Sequence, residues 1–195
     1  MIPMFTRLNN YIQKRINISQ EELEEVFKQC TYKEYKKGEY LLRIGEQCRF
    51  IGFLNTGLIM STLIDNDGKE LACNFVYEGC FFTYVEGLAE NRSSHKNFIA
   101  LENCEAIILN KEHLSNLFKS NQKFETLFFL FFIEDLGYML MDEQRNKTLS
   151  LDERYLNCEN QCPQAFQRIP LKYIATYLGV EPPSLSRLRK RLATK

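Results

Sequence analysis

The stretch from Asn121 to Asn146, NQKFETLFFLFFIEDLGYMLMDEQRN, constrains this chain more than any other part of it. Its apolar run, Leu127 to Ile133, is seven residues long, and Glu134 and Asp135 follow directly. A bilayer-spanning helix needs about 20 apolar residues, so this run is too short to span and reads instead as the middle of one long helix buried on several sides. One face can cover a neighbouring domain. Phe129, Phe132, Leu136 and Met139, spaced 3, 4 and 3, make a seam suited to the same helix of a second subunit. Burial of the whole helix inside a monomer is the alternative that periodicity leaves open. The helix also divides the chain into a first domain over 1–120, the helix itself over 121–146, and a last domain over 147–195.

The first domain opens on a short helix. Ser19 and, three residues on, Glu22 form a capping-box pattern, with Leu23, Val26, Phe27 and Cys30 following on one face. Six short strand candidates come next: 38–44, 50–56, 57–64, 69–77, 96–101 and 105–110, separated by Gly, Asn and Asp signals, with Asp67-Gly68 as a hairpin turn. Strands this closely spaced predict an antiparallel sandwich or barrel, not alternating strands and helices.

The last domain is where charge becomes informative. The chain is neutral overall, yet from Leu171 to Lys195 six cations stand against one anion, Glu181, giving +5 there and −5 for the remainder. Such a tail suits a polyanion partner, with a solvated charged helix face as the plain alternative. Ser150 and Glu153 make a second capping box, Pro170 falls in the first turn of the helix 171–179, Gly179 closes it, and Pro182 and Pro183 open another that continues to Ala193. With Ile174, Ala175, Leu178, Leu185, Leu188 and Leu192 turned inward, the two helices form a helix-turn-helix. Lys172, Ser184, Ser186, Arg187, Arg189, Lys190 and Arg191 then remain for the outer surface, as side chains that bond phosphates and base edges of double-stranded DNA.

Other chemistries find little support. The seven cysteines are odd in number and scattered, as expected of reduced thiols; Cys158 and Cys162, with no further ligands beside them, read as ordinary helix residues, and no metal site is expected. No nucleophile elbow, phosphate-binding loop or zinc-protease pattern occurs, so an enzyme is not expected. The N-terminal residues lack the apolar centre of a signal peptide, which predicts a soluble, cytoplasmic protein with no membrane partner.

The segments KKGEYLLRIGE (36–46), FLNTGLI (53–59), DNDGKE (65–70), YEGCFF (77–82), RYL (154–156) and IPLKYIATYLGVEPPSLSRLRKRL (169–192) together resemble, in order, the Crp/Fnr family of bacterial transcription regulators. The resemblance implies an α+β chain. It would have an antiparallel, jelly-roll-like β-roll sensor domain of the cyclic-nucleotide-binding type, a long dimerisation helix and a C-terminal winged helix-turn-helix. It further implies a homodimer, a two-fold symmetric operator, a small-molecule effector of unknown identity, and RNA polymerase as a further partner. A ligand-binding or protein-interaction module with a non-DNA-binding helix-turn-helix is the alternative. By position, Pro183, Ser186 and Arg187 match the three base-reading positions of the family, where glutamate often stands in place of Pro183. Few residues between Ser150 and Leu171 suit the usual wing strands.

The family's sensing site is where the likeness breaks. Thr83 and Tyr84 stand where cyclic-nucleotide binders carry Gly-Glu, and Ser94 stands at the arginine position, with Arg92 two residues away. A buried phosphate requires a cation and several donors, so cyclic AMP is not expected to bind, and no cofactor is expected. Thr83, Tyr84, Arg92, Ser94 and Phe98 remain the candidate effector pocket. Two outcomes are open: a cavity lined by Tyr84, Phe98 and apolar neighbours, or aromatic side chains collapsed inward to fill it.

Overall fold

Ser19 and Glu22 form the capping box that their spacing predicts: Ser19 Oγ accepts the Glu22 N–H at 3.2 Å, and the Glu22 carboxylate accepts the Ser19 N–H at 2.8 Å. In the computed structural model, which describes residues 3–193, this pair starts α2 (Gln20–Gln29), preceded by α1 (Thr6–Gln13). Met1, Ile2, Thr194 and Lys195, the last cation of the basic tail, lie outside the described residues. Helix α2 stops at Gln29, so Cys30, expected on its apolar face, instead begins β1 (Cys30–Tyr35).

The strands that follow are β2 (Tyr40–Leu42), β3 (Phe50–Thr56), β4 (Ile59–Ile64), β5 (Glu70–Val76) and β6 (Phe81–Phe82), then, after the short helix α3 (Val85–Glu90), β7 (Asn97–Ala100) and β8 (Cys104–Asn110). They pair antiparallel in two four-stranded sheets, ordered β1-β8-β3-β6 and β2-β7-β4-β5. The β4–β5 turn forms as Asp67-Gly68 predicts. Gly68 sits at φ +79°, and the Asp65 carboxylate accepts the backbone N–H groups of Asp67 and Lys69.

Alternation of side chains along each strand divides the first sheet into two faces. Leu54, Ala106 and Ile108 turn into the roll, where they meet Ile59, Val76 and Phe98 from the second sheet. Ile51, Phe53, Ile107 and Leu109 turn outward into a second apolar cluster with α1, α2, α4 (Lys111–Ser120) and the long helix α5 (Gln122–Thr148). That cluster buries Phe124, Leu127, Phe128 and Phe131, so one face of α5 covers the β domain as expected. The opposite face is open. Phe129, Leu136 and Met139 are exposed, but Phe132, expected beside them, is half-buried against the core, its ring centroid 5.0 Å from that of Phe131 and tilted to it. Ile133 and Leu140 are exposed instead, so the open apolar stripe runs Phe129, Ile133, Leu136, Leu140, with Met139 flanking it.

The remaining elements are helices: α6 (Leu151–Gln161), α7 (Pro163–Phe166), α8 (Leu171–Tyr177) and α9 (Pro182–Ala193). No strand occurs among the described residues after Asn110, so no wing strands flank the helix-turn-helix there. Ser150 and Glu153 cap α6 as predicted, whereas Pro170 is the N-cap of α8 and not part of its first turn. This unit docks on the second sheet of its own chain. Leu58, Met60, Ala72 and Phe75 share one buried cluster with Phe166, Ile174, Leu178, Leu185 and Leu188, and the Ala72 N–H donates to Thr176 Oγ1 at 3.3 Å. Arg168 adds a charged tie, donating to both oxygens of Glu78 at 2.9 Å and to Glu102.

Candidate nucleic-acid interface

Helix α8 ends where Gly179 permits it. At φ +69° this residue takes the left-handed conformation; its N–H donates to Thr176 O at 3.1 Å, and the Val180 N–H reaches back to Ala175 O at 2.9 Å. That is a Schellman cap, and it turns the chain sharply into α9. Pro182 and Pro183 lack N–H groups, and the Glu181 carbonyl accepts the amides of both Ser184 and Leu185, so the first-turn donors of α9 are either absent or satisfied.

Burial of Ile174, Ala175, Leu178, Leu185 and Leu188 matches the expected inward set, and Leu192 is half-buried against the same cluster. Opposite Leu185 and Leu188, at helical spacing, stand Pro183, Ser186, Arg187 and Lys190, all exposed. Ser186 Oγ donates to Pro182 O at 3.0 Å, and Arg187 Nη2 donates to the half-buried Ser184 Oγ at 3.2 Å, which orients the guanidinium along the outer face. The other expected cations also have contacts within the chain. Arg191 is ion-paired with Asp152 of α6. Arg189 lies against Tyr155, whose phenol burial pushes up and the arginine partly pulls back. Lys172 sits over the Tyr173 ring, 4.6 Å from its centroid. Ser184, Ser186, Arg187 and Lys190 thus share one helix surface with Arg191, a turn beyond Arg187, while Lys172 and Arg189 lie against Tyr173 and Tyr155.

The expected effector residues scatter around a filled roll. Tyr84 and Phe98 are buried in it, and Phe98 lies 5.9 Å from Phe82. The Phe82 ring in turn occupies the space over Gly52, where a Cβ would fall 2.2 Å from Phe82 Cζ. Of the two outcomes left open, side chains fill the interior. Thr83 Oγ1 donates to Phe50 O at 2.7 Å, the Tyr84 hydroxyl donates to Glu86 at 2.6 Å, and the buried Ser94 hydroxyl donates to Lys96 O at 2.6 Å. Arg92 points away, paired with Glu90 at 2.6 Å and well exposed. An apolar cavity of about 30 Å³ does exist, but it lies outside the roll, between the first sheet and the helices, lined by Leu8, Ile12, Ile107, Phe124 and Phe128 among others.

Residues 32–121 match the family model described as the cyclic nucleotide-binding domain. Three solved structures are similar over most of their length. FixK2 of Bradyrhizobium japonicum has a TM-score of 0.75 at 17% identity, over 85% of each chain. A putative transcriptional regulator of the Crp/Fnr family from Eubacterium rectale has 0.72 at 12%, over 95% of this chain and 88% of that one. The c-di-GMP responsive global regulator CLP of Xanthomonas campestris has 0.70 at 16%, over 90% and 92%. No curated protein sequence matches the chain. Residues 32–121 are thus similar to a cyclic nucleotide-binding domain, and the chain has the fold of the Crp/Fnr regulators.

On that fold, several contacts have no counterpart in the sequence pattern. Lys69, in the β4–β5 hairpin of the roll, lies 3.0 Å from Glu181 at the start of α9. Asp152 holds Arg191, and Arg168 ties the helix-turn-helix unit to Glu78 and Glu102 of the roll. These pairs are separated by between 39 and 112 residues, and no local periodicity could have disclosed them. Among the described residues, no group of three or more His, Cys, Asp or Glu side chains is placed to hold a metal ion, and no helix is long and apolar enough to cross a membrane. Cys158 and Cys162 are half-buried free thiols, and burial pushes Cys158 up to about 11.

Proposed function

We propose that this chain is a homodimeric, sequence-specific DNA-binding transcription regulator that acts in the cytoplasm. The observation that carries the proposal is the exposed row Pro183, Ser186, Arg187 and Lys190 on a helix whose other face is buried, within the one strongly basic segment of the chain. The two regulators named above, CLP and the Eubacterium rectale protein, which share the fold, add support. Arg187, steadied by Ser184, presents the fork that bonds guanine at O6 and N7; Lys190 and Ser186 suit phosphate oxygens. The open stripe Phe129, Ile133, Leu136 and Leu140 on α5 is the dimer seam, and a two-fold axis through it presents two α9 helices to half-sites about one DNA turn, roughly 34 Å, apart. The roll does not take cyclic AMP, because Phe82, Tyr84 and Phe98 occupy its interior and, among the described residues, no lysine or arginine is buried to face it.

The test compares two variants on a selected operator and on random duplex. Arg187→Ala costs about 1–3 kcal/mol on the operator and relaxes sequence preference, while Lys190→Ala weakens both DNAs about equally and lowers the salt slope by about 1. Equal losses on both DNAs from both variants would contradict base reading by Arg187. No binding to either DNA would favour a helix-turn-helix retained as a scaffold.

A further inference from the structure

Glu181 is the one acidic residue between Leu171 and Lys195, and it stands at the entry of α9, the end of a recognition helix that lies deepest in the groove. A carboxylate there lies within a Debye length, about 10 Å, of the phosphates that flank the groove and repels them. Its partner comes from the other domain. Lys69 Nζ donates to Glu181 Oε1 at 3.0 Å from the β4–β5 hairpin, in which it is the only cation between Ile64 and Val76. Three acids share the hairpin: Asp65 accepts the backbone N–H groups of Asp67 and Lys69, Glu70 accepts the Thr62 hydroxyl, and Asp67 is exposed at the turn. The hairpin is held in place by contacts that do not depend on Lys69: the Ala72 N–H bond to Thr176 Oγ1 and the packing of Phe75 on Tyr177, with ring centroids 5.5 Å apart.

We infer that the β4–β5 hairpin of the sensor domain acts on the DNA-binding surface through Lys69, which neutralises Glu181 so that this carboxylate at the helix entry does not repel the duplex. This rests on the DNA-binding reading and deepens it, because the partner remains duplex DNA while the surface now spans both domains. Both side chains are largely exposed, 52% for Lys69 and 71% for Glu181. The pair therefore contributes little to folding, and its worth lies in the field it presents to a polyanion. It also makes DNA affinity depend on the docked position of the hairpin, since moving the hairpin off α9 uncovers the carboxylate.

The experiment uses the full chain and a mixed-sequence duplex of about 30 base pairs, with fluorescence anisotropy between about 50 and 200 mM salt. One net charge facing DNA changes the slope of log K against log salt by about 0.9, which at about 0.1 M corresponds to roughly eightfold in affinity. Lys69→Met is therefore expected to weaken binding about eightfold, Glu181→Gln to tighten it by up to the same factor, and the double variant Lys69→Met/Glu181→Gln to return to the wild-type value, with melting temperatures of all three unchanged. An unchanged affinity for Lys69→Met overturns the inference. So does a double variant as weak as Lys69→Met alone, which would mean that Lys69 acts on DNA without reference to Glu181. If the wild type binds no duplex at all, the DNA-binding reading falls and this inference with it; if Arg187→Ala still lowers affinity while the Lys69 variants do not, only the inference falls.

Discussion

Replacing Leu136 with Asp is the sharpest perturbation of the proposed dimer, because the side chain contributes little within one subunit. Leu136 is 51% exposed, beside Phe129 at 63%, Ile133 at 51% and Leu140 at 58%. Full burial of such a side chain is worth about 1.5–3 kcal/mol, so the half still open on α5 holds about 1 kcal/mol per subunit for assembly. The aspartate forfeits that in both subunits and places two carboxylates, related by the two-fold axis, into an apolar seam. Each desolvated, unpaired charge there costs several kcal/mol more. Together, with about 3 kcal/mol for each charge, the loss is about 8 kcal/mol per dimer, or roughly six decades in the dissociation constant. Sedimentation velocity at micromolar concentration should show the wild type as a dimer and Leu136→Asp as a monomer, with unchanged far-ultraviolet circular dichroism. A variant that remains dimeric refutes the seam, as does a monomeric wild type. Phe132→Asp would be a poor test, since Phe132 is half-buried in the core of its own subunit and its loss would confound folding with assembly.

Two further expectations concern the β-roll and acid stability. Calorimetric titration with cyclic AMP and cyclic GMP to millimolar concentration should show no saturable heat, since Phe82, Tyr84 and Phe98 fill the roll; a dissociation constant below about 50 μM would refute that account. The Glu22 carboxylate is pulled down to about 2 by the Ser19 N–H and then by Lys123 and Asn121. A carboxylate with a folded-state pKa below its unfolded value contributes stability that is complete above about 4.3 and lost as pH falls towards 2. Glu22→Gln should accordingly flatten the acid side of the melting profile over that interval, and an unaltered slope between about pH 5 and pH 2 would show that the capping box does not link folding to protonation.

Local patterns determined a good deal of this protein. Both capping boxes, the Gly68 turn, the Gly179 cap, the inward leucines of α9 and six of the strands follow from interactions among residues a few positions apart, where side-chain period and backbone preference act without reference to the rest of the chain. Strand β1 escaped because Cys-Thr-Tyr-Lys-Glu-Tyr carries the mixed polarity of an edge strand, and its pairing with β8 joins Thr31 to Ile108 across most of the domain. On α5, spacing alone put Phe132 on the open stripe, and Ile133 stands there instead. The tertiary structure decided it, because the sheet's outer face and α1 occupy the side to which Phe132 turns. The interior of the roll was likewise undecided until Phe82 lay over Gly52, a question of volume and not of period. The union of the two domains belongs wholly to tertiary structure. Lys69 meets Glu181, Arg168 meets Glu78 and Ala72 meets Thr176 only because the helix-turn-helix packs on the second sheet, and such long-range contacts depend on three-dimensional complementarity that no one-dimensional pattern encodes.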